Sequence, residues 1–96
     1  MKIQNEFANA FRKVRRARGL TQEDFIDGSG RTYISELERG LKNPTLTKID
    51  QLAGPLQIHP LTVVALSYAK KDSMAALEKL LEQVRREAEG VLQSKE

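Results

Sequence analysis

Glycine and proline cut this chain into segments of helical length. Gly19, Gly28-Ser29-Gly30, Gly40, Asn43-Pro44, Pro55 and His59-Pro60 punctuate it, and between them apolar residues recur every three or four positions. No run has the period-2 alternation of β-branched and aromatic residues that marks a half-buried strand. The pattern predicts an all-α fold.

The first helix is expected over about Asn5 to Arg18, with Phe7, Phe11 and Val14 on one face, Arg12, Lys13, Arg15, Arg16 and Arg18 on the other, and Gly19 as its left-handed stop. Thr21 is a suitable N-cap for a short second helix, with Asp24 three residues on in an approximate capping box. That helix should stop near Asp27, because Gly28-Ser29-Gly30 continues it poorly. A third helix over about Arg31 to Arg39 buries Ile34 and Leu37, and Gly40 ends it.

Thr45 caps a fourth helix whose stripe is Leu46, Ile49, Leu52, Ala53 and Leu56. Pro55 lacks the N–H that would bond Gln51, a loss of roughly 3 kcal/mol in a helix interior, so this helix is expected to end or kink around Ala53 to Gly54. Pro60 suits the first position of a fifth helix, with Leu61, Val64, Ala65 and Tyr68 facing inward and His59 as a cap or surface residue.

After Lys70-Lys71-Asp72, the residues Met74, Leu77, Leu81, Val84, Ala88 and Val91 follow the alternating 3 and 4 spacing of a heptad seam. Asp72 or Ser73 caps this helix, and Glu82 with Arg86 and Arg85 with Glu89 form i, i+4 pairs along it. The seam predicts a dimer interface. A marginal apolar content, two leucines and one valine at its centre, leaves packing against the fifth helix or against the chain's own domain open.

A chain of 96 residues, 40% hydrophobic and 30% charged, makes one small domain with an appendage rather than an enclosed substrate cavity. The absence of cysteine excludes a disulfide framework, a thiolate zinc site and a cysteine nucleophile. No stretch reaches the length of an apolar membrane span, and Met1 to Arg16 lacks the core of a signal peptide, so the chain reads as cytoplasmic with no membrane partner. No metalloprotease, nucleophile-elbow or phosphate-loop pattern is present, so no catalytic residue, metal or cofactor is expected. The formal charge of +3 is carried at the front: residues 1–43 hold nine basic against six acidic residues. That excess fits nucleic acid but also fits a solvated helix face.

The segments RKVRRARGLTQED, RTYIS, ERG and NPTL occur in the order and at the distances that resemble the lambda-repressor-like, or Xre-type, helix-turn-helix family over about Phe7 to Leu66. The resemblance implies a five-helix DNA-binding domain with its helix-turn-helix at about residues 21–39. RTYIS is especially similar to the controller proteins of restriction-modification systems, small dimeric members of the family. The third helix then enters the major groove, where every base pair displays a distinct pattern. By the same resemblance Arg31, Thr32 and Tyr33 are base-contact positions, with Ser35 and Glu36 on adjacent faces. Gln22, Thr21, Lys42 and Asn43 fall where the family approaches phosphate, and Arg12 with Glu38 looks like its structural ion pair. Tyr33 can equally roof the core, and Glu36 can equally be a solvated carboxylate.

The sequence departs from the family in one place. Gln22 to Ile34 is two residues shorter than usual, and Ile26 stands where a small residue commonly lies at the helix crossing. The expected organisation is a DNA-binding domain over residues 1–71 and an amphipathic dimerisation helix over residues 72–96. The expected function is a homodimeric transcriptional regulator, a repressor or autoregulator on a palindromic operator. The competing reading is an antitoxin or interaction module that uses the same fold to hold a partner protein.

Overall fold

The computed structural model describes residues 3–25, 30–70 and 72–94, with the side chains of Gln4 and Arg31 outside the description. Its described residues form α1 (Ile3–Ala17), a 3-10 turn (Gln22–Phe25), α2 (Gly30–Glu38), α3 (Leu46–Leu56), α4 (Pro60–Tyr68) and α5 (Met74–Leu92). The architecture is all-α.

The core assembles around Phe11, which is fully buried in the middle of α1. Its ring lies 6.3 Å from that of Phe7 and 5.3 Å from that of Phe25, the tilted second contact drawing the 3-10 turn onto α1. Ile34 and Leu37 of α2, Leu52 and Leu56 of α3 and Val63 of α4 close the cluster. The most extensive packing joins α1 to α4. Small side chains permit that approach: Ala10 and Ser67 are both buried, and the Ser67 hydroxyl donates to the Val63 carbonyl at 2.7 Å, so no polar group is stranded.

Capping follows the sequence closely. Thr45 Oγ1 accepts from the Lys48 amide, His59 Nδ1 accepts from the Leu61 amide and Ser73 Oγ accepts from the Ala76 amide, at 3.0 to 3.1 Å. The α1 C-terminus is finished by Gly19 at φ 71°.

Several expectations are corrected. The second helix is a single 3-10 turn in the described residues: the Thr21 amide donates to Asp24 Oδ2 at 2.6 Å and the Asp24 amide to the Thr21 carbonyl at 3.2 Å. This i to i+3 closure winds the chain tightly enough to deliver Phe25 into the core. Ile26 to Ser29, and with them the shortened turn and the helix-crossing position, lie outside the described residues.

Pro55 does not end α3 at Ala53 to Gly54; the helix runs on to Leu56. Pro55 stands in the last turn, where a single bond is lost. Its predecessor Gly54 has no Cβ to clash with the proline ring. Burial of Leu56 holds the final residue in place, and Arg18 donates from Nε to the Leu56 carbonyl and from Nη2 to the Gln57 carbonyl, both at 2.9 Å. Arg18, read as part of a solvent face, therefore satisfies the end of α3.

The buried face of α4 is also different. Leu61 and Tyr68 are 55% and 57% exposed, while Val63 and Ser67 point at α1. PLTVVALSY is apolar nearly all round, so periodicity does not select a face, and the small serine is what fits the close crossing.

Gly40 ends α2 at φ 78°, and a Cβ there would run into the Asn5 side chain, whereas one on Gly19 would meet open space. Gly19→Ala should therefore lose only the left-handed strain, about 1–2 kcal/mol. Gly40→Ala should lose more. Urea melts with unchanged slopes and two separated midpoints would show this; equal midpoints would dismiss the collision with Asn5.

Candidate nucleic-acid interface

Glu38, the last residue of α2, gathers three elements. Its side chain is 4% exposed and accepts from Arg15 Nε at 2.5 Å and Nη2 at 2.9 Å, a bidentate pair, while Arg15 Nη1 donates to the Leu20 carbonyl at 2.9 Å. Gln22 Nε2 donates to Glu38 Oε1 at 3.2 Å. Arg12 Nε lies 3.7 Å from the same oxygen, and Arg12 Nη2 donates to the Glu38 carbonyl. The carboxylate is the junction of α1, the 3-10 turn and α2.

The pairing of Arg12 with Glu38 is thus accompanied by a closer one. Arg15, expected on the solvent face, is buried, and its guanidinium is held above the usual arginine range by its hydrogen bonds to Glu38, against the opposing effect of burial. A signal for it was available. Arg15 follows Phe11 by four and Val14 by one, so it borders the apolar face of α1.

Glu38 also orients Gln22. A carboxylate only accepts, so the Gln22 amide nitrogen faces it and keeps a second N–H to offer elsewhere. Thr21, beside it, is exposed but its hydroxyl lies 3.2 Å from Asp24 Oδ2.

On α2, burial of Ile34, Leu37 and Glu38 turns the positions of Thr32, Glu36 and Arg39 outward at i, i+4 and i+7, Thr32 and Arg39 being exposed and Glu36, like Ser35 beside it, half-buried. Arg31 stands in the first turn of the same helix. Tyr33 is half-buried against the core, and Lys48 of α3 stands over its ring at 4.7 Å from the centroid. Burial pushes the Tyr33 hydroxyl above its usual range, so it remains a neutral donor and acceptor at physiological pH. Lys42 lies 3.7 Å from Glu36, and Asn43 is exposed in the loop before α3. Sequence reading missed Arg39, which the 32, 36, 39 spacing could have revealed, and Lys48, which only its contact with the Tyr33 ring brings near α2.

Not every basic residue joins this surface. Lys13 pairs with Asp72, and Arg18 caps α3, so the basic face expected on α1 is divided among structural partners.

Residues 11–63 match the helix-turn-helix family, and the chain belongs to this class of DNA-binding regulators. Its similarity extends to an uncharacterized HTH-type transcriptional regulator, y4dJ, of Sinorhizobium fredii, 41% identical over 56 residues that make up 56% of this chain and 73% of that relative.

Replacing Glu38 with alanine leaves Arg15 buried without a counter-charge and should cost about 3–5 kcal/mol. Arg12, with 36% of its side chain exposed, should cost about 1 kcal/mol or less when replaced. Denaturant unfolding of the two variants measures the difference. Equal losses would show that Arg15 does not depend on Glu38.

Proposed function

We propose that this chain is a sequence-specific transcriptional regulator that binds a palindromic double-stranded DNA operator as a homodimer, acting as a repressor or autoregulator. The mounting of α2 carries the reading: its inner face is fixed by Ile34, Leu37 and the Glu38 junction, and its polar outer face stands beside Lys42 and Lys48. A helix fixed along one side and polar along the other suits insertion into the major groove.

In this reading Arg31, Thr32 and Tyr33 contact bases, with Ser35 and Glu36 beside them. Arginine can bond guanine bidentately, threonine offers a hydroxyl or a methyl, and the Glu36 carboxylate can accept from cytosine once released from Lys42. Gln22, Thr21, Lys42 and Asn43 contact phosphate, joined by Arg39 and Lys48, and set register rather than sequence. Residues 1–71 form the reading domain and residues 72–96 the association helix, whose seam residues Met74, Leu81, Val84, Ala88 and Val91 are exposed. The cytoplasm is the compartment in which such a regulator meets DNA; among the described residues no helix is long and apolar enough to cross a membrane. The reading involves no catalytic step, metal or cofactor.

Selection from random DNA should return a palindrome with half-site centres about 34–36 Å apart. On that site Arg31→Ala should lose about 1–3 kcal/mol of preference over unrelated DNA with its melting unchanged, and Lys42→Ala should lower the salt slope of binding by about 1. A binding curve insensitive to salt would overturn the DNA reading and favour a partner protein on the exposed face of α5. Sedimentation equilibrium addresses the dimer: a chain ending at Lys71 should associate less than the whole, and equal association would remove α5 from the interface.

A further inference from the structure

The apolar seam of α5 has two surroundings. Near its start Leu77 is half-buried, and together with Leu81 it forms an open apolar groove with Leu61, Ala65 and Leu66 of α4. From Leu81 to Ser94 every residue is exposed, Val84 and Val91 among them. The groove beside α4 and the exposed seam residues beyond it adjoin at Leu81, and exposed apolar side chains so grouped are of the kind that marks an interaction site.

We infer that the occupant is the α5 helix of a second copy, running antiparallel and laying its C-terminal half into the groove beside α4. The inference rests on the dimeric reading above and adds direction, register and a seat. A two-fold axis makes the interface self-complementary. With that axis level with Glu82 and Gln83, Met74 meets Val91, Leu77 meets Ala88 and Leu81 meets Val84 of the second copy, so all six seam positions are paired. Leu77, the seam residue already packed against α4, meets the smallest one, which suits the limited space there.

Charge selects the direction. Glu78 and Arg85 flank the seam on the side opposite Leu80. In the antiparallel pair Glu78 of each copy faces Arg85 of the other, giving two opposite-charge contacts per dimer. In a parallel pair the flanking contacts are Leu80 with Arg85 and Glu87 with Leu92, and no opposite charges meet. Arg85 also lies 3.3 Å from Glu89 and 3.9 Å from Glu82 of its own helix, but these side chains are exposed and such pairs hold weakly in water, so Arg85 can be shared.

The chain contains no cysteine, so spin labels can be placed at Gln83→Cys and Gln93→Cys, both at exposed positions of the full-length protein. The antiparallel dimer should give an intermolecular distance of about 15 Å at Gln83 and about 30 Å at Gln93, from the helical rise and the separation of packed helices. Short distances at both positions would mean a parallel pair and overturn the direction while keeping the dimer. A dimer with no short distance at Gln83 would overturn the proposed seat. Absent coupling in a chain that sediments as a monomer would overturn the dimeric reading itself, and this inference with it. Charge reversal gives an independent check: Glu78→Arg should weaken association about tenfold and the added Arg85→Glu should restore it, corresponding to two modest ion pairs. Failure of that rescue would remove the charge argument for the antiparallel direction.

Discussion

The Glu38 carboxylate is the contact on which the remaining geometry depends. It is drawn out of water at the end of α2 and matched there by the fork of Arg15, with Arg12 at its edge and the Gln22 amide completing its acceptor sites. Hydrophobic packing of Phe11, Phe25, Ile34 and Leu37 brings α1, the 3-10 turn and α2 together without strict direction. The bidentate pair adds direction, because planar groups bond well only when aligned. One end of α2 is thereby fixed relative to α1, and the polar face at its other end is aimed by the same constraint.

Much of this was legible in the sequence because local rules and tertiary packing agree. Phe7, Phe11 and Val14 mark the inner face of α1; Thr45, His59 and Ser73 stand where caps are needed; and Gly19 and Gly40 take the positive φ that ends a helix. The expected departures occur where a tertiary contact outweighs a local rule. Pro55 is carried inside α3 because Gly54 relieves the steric clash and Leu56 is buried beyond it. Arg15 and Arg18 look like solvent residues on a helical wheel, yet each reaches a carboxylate or a helix end supplied by a distant segment. No single-helix pattern contains that information.

The candidate DNA surface was legible in a different way. The positions on α2 follow from helical spacing once Ile34 and Leu37 are assigned to the core, so Thr32 and Glu36 face outward by the same periodicity. Tyr33 borders the core, as one of the two readings considered for it expects, and Lys48 stands over its ring. The face of α4 was illegible because PLTVVALSY has apolar residues on every side, and only the narrow crossing with α1 selects Val63 and Ser67.

None of the residues of α5 is buried in the core that supports α2. If α5 is the dimer interface proposed above, substitutions along it retune self-association without disturbing α2. In the dimeric reading, the population competent for an operator grows approximately as the square of chain concentration while monomers predominate. A small change in synthesis then produces a disproportionate change in occupancy, and the strength of the α5 contact sets the abundance at which that response begins.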